Sequence, residues 1–113
     1  MSSEMVIFSR TYDLLLWIIP HCDNFPKAHR HGITQRLQDA LLDFMETVYD
    51  ANAQAGKPRS SALARADAHL NKVRLYLRMA HQFQWLSVGQ YEHVSNMVAE
   101  IGKLLGGWIK QTG

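Results

Sequence analysis

The stretch RADAHLNKVRLYLRMAHQFQW, Arg65–Trp85, decides the fold. At about 100° per residue, Leu70, Val73 and Leu77 fall on one stripe with Leu63, Ala66 and Ala80. That is the spacing of a helix that buries one face. Ala68, Leu75 and Met79 project from the opposite side, and Arg74 and Arg78 lie on the flank between the two. A helix that is apolar on two sides is covered on two sides. The stretch therefore predicts a helical bundle, and a second surface that something else must meet.

The neighbouring segments extend the pattern. A first helix is expected from about Ser3 to Cys22, with Pro20 either kinking or ending it before CDNFPK. A second runs from Pro26 or Gly32 to Ala55, stopped by Gly56. The third begins after Pro58, with Ser60 or Ser61 as N-cap, and reaches about Gln84. The fourth starts at Ser87, where Gln90 three residues on completes a capping box, and ends near KQTG. Ile33, Leu37, Ala40, Leu41, Phe44, Val48 and Ala51 form the apolar stripe of the second helix. Tyr91, Val94, Met97, Val98, Ile101, Leu104, Leu105 and Trp108 form that of the fourth. No segment alternates as a half-buried strand does. The fold class is all-α, an antiparallel up-down four-helix bundle.

Composition supports one domain over residues 1–113. The chain is 47% hydrophobic with three prolines, which excludes a disordered composition. A net charge of +2 suits a polyanionic partner only if the basic residues gather on one surface. A single cysteine, Cys22, rules out an internal disulfide and fits a reducing cytoplasm; it reads as a buried thiol. The run Leu14–Ile19 is far shorter than the roughly 20 apolar residues of a membrane span. There is no signal-peptide pattern, so a soluble cytoplasmic protein with no membrane partner is expected.

Catalytic and metal chemistry find little support. The six histidines form no HxxxH pair, and no ExxH pair lies on a helix, so the di-iron bundle pattern is missing. His29 and His31 have only Cys22 and Asp23 nearby. His69, His81 and His93 recur every twelve residues, which turns a helix by about 120° and makes no stripe. Asp39, Asp43, Glu46 and Asp50 form an acidic ridge that reads as a solvated face. There is no phosphate-binding glycine loop or nucleophile elbow. No catalytic residue, metal or cofactor is expected, and the chain does not read as an enzyme.

The basic residues are more informative. Lys57, Arg59, Arg65, Lys72, Arg74 and Arg78 run along the third helix and its approach. They are the candidate contacts for nucleic acid or a protein partner. Asp67 and Asn71 share the flank of Arg74, so an internal Asp67–Arg74 or an intersubunit ion pair competes with that role. The first helix is apolar round most of its circumference, from Val6 to Ile19. A single bundle cannot bury both faces of two helices. A homo-oligomer is expected, with Leu15, Trp17, Leu75 and Met79 in subunit contacts. The small residues Ser95, Ala99, Gly102 and Gly106 make a row on the fourth helix, read as tight packing and nothing more.

Two segments carry a family likeness. ARADAHLNKVRLYLRMA (Ala64–Ala80) and VSNMVAEIGKLLGGWIK (Val94–Lys110) resemble Avd, the accessory variability determinant of diversity-generating retroelements. The shared features are ADA.L..VR.YLR on the third helix and AEIG..LGGWI on the fourth. In the first half the likeness is limited to helix order and a Y..LLW..P segment, Tyr12 to Pro20. The resemblance implies a four-helix bundle assembled as a homopentameric ring or barrel. It also implies a non-catalytic accessory role: binding the reverse transcriptase and template RNA or cDNA, and supporting mutagenic retrohoming. Of the basic set, it carries over only Arg74 and Arg78. The acidic second helix departs from the family's basic character. The alternative is an interaction bundle of the ribosomal-RNA intervening-sequence type, without a retroelement.

Overall fold

The computed structural model describes residues 3–112, with side chains from Val6 onward. Four helices account for nearly all of it: α1 (Ser3–Cys22), α2 (Ile33–Asn52), α3 (Gly56–Gln82) and α4 (Val88–Thr112). One turn of 3-10 helix, Lys27–His29, bridges α1 and α2. No strand occurs among the described residues.

The helix ends show where sequence signals succeed and fail. Ser87 caps α4 as expected. Its hydroxyl accepts from the Gln90 N–H at 3.1 Å, and the Gln90 carboxamide accepts from the Ser87 N–H at 2.8 Å. α1 runs through Pro20 to Cys22, so the proline sits inside the last turn and does not end the helix. α3 begins at Gly56 and not behind Pro58 with a serine cap. The first-turn N–H groups of a helix have no acceptor within it, so a proline there forfeits no hydrogen bond. Gly56 takes φ +61°, a conformation open to glycine, as the chain enters α3. It therefore opens α3 rather than closing α2, which stops at Asn52.

Each helix packs on its chain neighbour and α1 closes against α4, giving an up-down-up-down bundle with α1 and α3 on a diagonal. It measures 43 × 25 × 19 Å. The expected stripes of α2, α3 and α4 point inward, and Phe44, Leu41, Leu63, Leu70, Ile101, Leu105 and Trp108 are fully buried. α1 adds Ile7, Leu14 and Ile18. Buried Thr11 donates to the Ile7 carbonyl at 2.7 Å, which satisfies its hydroxyl within the helix.

α1 uses more of its circumference than a single stripe. Phe8 stacks on Tyr49 of α2 with ring centres 4.8 Å apart. On the opposite flank Trp17 stacks on His21 at 3.7 Å and lies 5.7 Å from His93 of α4. Leu15 and Trp17 are half-buried against the core of the bundle. The part of α1 that stays open is instead Tyr12, Leu16 and Ile19, exposed by 56%, 57% and 39%. On the outer face of α3, Leu75 is 51% exposed, while Met79 is half-buried.

Candidate nucleic-acid and partner interface

Arg74 and Arg78 lie one turn apart on the side of α3 that faces α4. Arg74 donates through Nη1 to the Asn71 side-chain oxygen at 2.7 Å. The anticipated ion pair with Asp67 does not form; among the described residues the salt bridge is Arg10 Nε to Glu100 Oε1, 2.9 Å, linking α1 to α4. Both of its partners are about half exposed, so it contributes little. The Arg74 guanidinium crosses to α4 and rests against Gly102, where an added Cβ would collide with it.

At the two glycines of the small-residue row on α4 no other backbone comes close: the atoms nearest an added Cβ at Gly102 belong to side chains, and a Cβ at Gly106 would meet nothing within 4 Å. At Gly102 the row makes room for a guanidinium. Above it, Ser95 and Ala99 help open a cleft of about 290 Å3 lined by Arg74, Leu77, Arg78, Tyr91, Ser95, Val98 and Ala99. No carboxylate lines this cleft. Most of its lining is apolar, and Arg74 and Arg78 are its two charged residues. His81 stacks on Tyr91 beside it, ring centres 4.4 Å apart and planes within 4°.

The other basic residues go elsewhere. Arg59 is drawn inward: its Nε donates to the Ala51 carbonyl at 3.0 Å, and its guanidinium lies 5.9 Å from the Trp108 ring centre. It ties the end of α2 to α4, which leaves it little freedom to meet a partner. Lys72 lines a separate groove with Asp39, Asp43, Arg36 and Tyr76, against the acidic ridge of α2. Arg65 and Lys57 are exposed. Helical geometry puts Arg65 and Lys72 roughly 160–180° round α3 from Arg74. The six basic positions thus divide among several surfaces, and only Arg74 and Arg78 share a concave one. Tyr91, Ser95 and Ala99 complete it. Sequence spacing had put Tyr91 in the core and the two small residues in a packing row; their place across from the arginines is the signal that marks them.

Among the described residues no group of three or more His, Cys, Asp or Glu could hold a metal ion. Cys22 is buried, and burial pushes its thiol up from its ordinary pKa, against a lowering hydrogen bond with Gln38. Among the described residues no helix is long and apolar enough to cross a membrane.

The model of the bAvd-like family matches residues 5–112. Among solved structures, the chain is similar to a protein of unknown function from the S23 ribosomal protein family of Bacteroides thetaiotaomicron VPI-5482. The TM-score is 0.86 at 16% identity, covering 96% of this chain and 99% of that one. At that identity the likeness establishes the fold. No curated protein matches.

Proposed function

The chain belongs to the bAvd-like family, the accessory variability determinants of diversity-generating retroelements, and we propose that it works as a non-catalytic adaptor for a reverse transcriptase. In this reading the transcriptase supplies all the chemistry. The adaptor holds template RNA or cDNA at the α3–α4 cleft and the transcriptase on another surface, and so supports mutagenic reverse transcription. Several subunits form a ring, a pentamer by family likeness, joined through the exposed apolar residues of α1 and α3. Repetition of the cleft round a ring turns a net charge of only +2 per chain into an array of phosphate contacts.

The observation that carries the nucleic-acid part is the pairing of Arg74 and Arg78 on one carboxylate-free cleft. The test is charge reversal, Arg74→Glu with Arg78→Glu, followed by binding to template RNA over a range of salt. Both side chains are exposed, so circular dichroism should stay helical. Affinity should fall, and the slope of log affinity against log salt should flatten by about two for each cleft engaged. Unchanged affinity and slope would remove these arginines from the nucleic-acid surface.

A second reading is suggested by the S23-family neighbour: an interaction bundle of the ribosomal-RNA intervening-sequence type with no retroelement. Capture of the reverse transcriptase encoded beside the gene separates the two. A stable complex with the purified protein supports the adaptor. Absence of both the gene and the complex supports the plain bundle.

A further inference from the structure

The α3–α4 cleft offers more than charge. A groove that only neutralised phosphate would need its cations and nothing else. This one also has an apolar lining at Leu77, Val98 and Ala99, a hydroxyl at Ser95 and an aromatic side chain at Tyr91. His81 covers one face of that ring in a nearly parallel stack, which holds the ring in place, and the rest of Tyr91 borders the cleft. The volume, about 290 Å3, is at the lower limit for ligand pockets and suits a single planar group.

We infer that the cleft takes one unpaired nucleotide of a single strand, RNA or DNA, with its phosphate on Arg74 and Arg78 and its base against Tyr91. This rests on the nucleic-acid reading above and adds which form of nucleic acid is held, and by what. Cations beside an aromatic platform are the general means of holding a single strand without reading its sequence, because every base has a π-face. A duplex keeps its bases paired and stacked. It could offer phosphates to the arginines, but it would leave Tyr91 and the apolar lining in water. An acidic peptide would likewise use the arginines and leave the ring unused.

Two variants test the cleft without touching the arginines. Ala99→Phe fills it from an exposed position, and Tyr91→Leu keeps an apolar side chain but removes the ring. Fluorescence anisotropy is measured with a labelled single-stranded oligoribonucleotide and with the same strand annealed to its complement. The wild-type protein should prefer the single strand by on the order of tenfold. Both variants should lose that preference, keep duplex binding and remain helical. Equal wild-type binding to the two probes, or a preference that survives Ala99→Phe, overturns the inference while leaving the arginines as phosphate contacts. Failure of the wild type to bind either probe overturns it together with the nucleic-acid part of the proposed function. If Ala99→Phe abolishes capture of the reverse transcriptase but leaves single-strand binding intact, the cleft belongs to the protein partner and the inference also falls.

Discussion

Gly102 is the residue on which stability and proposed function can be pulled apart. It lies inside α4, where glycine costs about 0.5–1 kcal/mol relative to alanine through backbone entropy. Its added Cβ would meet the end of Arg74, a long side chain that can swing away, and otherwise only Leu70 at ordinary contact distance. Gly102→Ala should therefore raise the thermal midpoint slightly while displacing the Arg74 guanidinium and weakening RNA binding. The two readouts should move in opposite directions. A drop in both would mean that the glycine serves packing. Contrast Arg59, equally basic and on the same helix as Arg74. Its partners are the Ala51 carbonyl and Trp108, which only the folded bundle brings together. Nothing in the local sequence separates an arginine that braces two helices from one that lines a cleft.

At the scale of the helix, the end of α3 carries a measurable strain. Gln84 has φ +65°, and the Trp85 N–H reaches back to the Ala80 carbonyl at 2.8 Å while the Gln84 N–H reaches His81 at 2.9 Å. This is a Schellman ending with glutamine where glycine is usual. A left-handed conformation costs a non-glycine residue roughly 1–2 kcal/mol, partly offset by the extra chain entropy of glycine when unfolded. Gln84→Gly should stabilise the protein by about 0.5–1 kcal/mol in chemical denaturation, and any loss of stability would show that the glutamine side chain contributes something the backbone geometry does not reveal. The stripes of α2, α3 and α4 were legible because their apolar residues recur at helical spacing and all meet one core. The start of α3 was not, because a proline reads as a breaker until its place in the first turn is known. The flanks of α1 were not either. Leu15 and Trp17 look like outward residues on a helical wheel, but both pack in part against the core, and His93 of α4 brings an aromatic partner to Trp17.

For the whole molecule, the open question in the sequence was what covers the second apolar faces. Packing within one chain half-buries Leu15 and Trp17, yet it leaves Tyr12, Leu16 and Ile19 in a row on α1, at the i, i+4, i+7 spacing of one helix face. Leu75 stays open on the diagonal helix, so the α1 row and Leu75 lie on different sides of the bundle. Different patches on opposite sides suit a head-to-tail contact, which closes into a ring when the rotation permits. Leu16→Asp places a charge in the middle of the α1 row at little cost to the fold, because that side chain is 57% exposed. Light scattering of the wild type should give a multiple of the 12.9 kDa chain, five by family likeness, and the variant should give a single helical chain. RNA binding should weaken in parallel even though Arg74 and Arg78 are untouched, because separated clefts lose the effective concentration that a ring provides. A variant that stays assembled would move the contact off α1, while one that dissociates yet binds RNA as before would mean that a single cleft suffices.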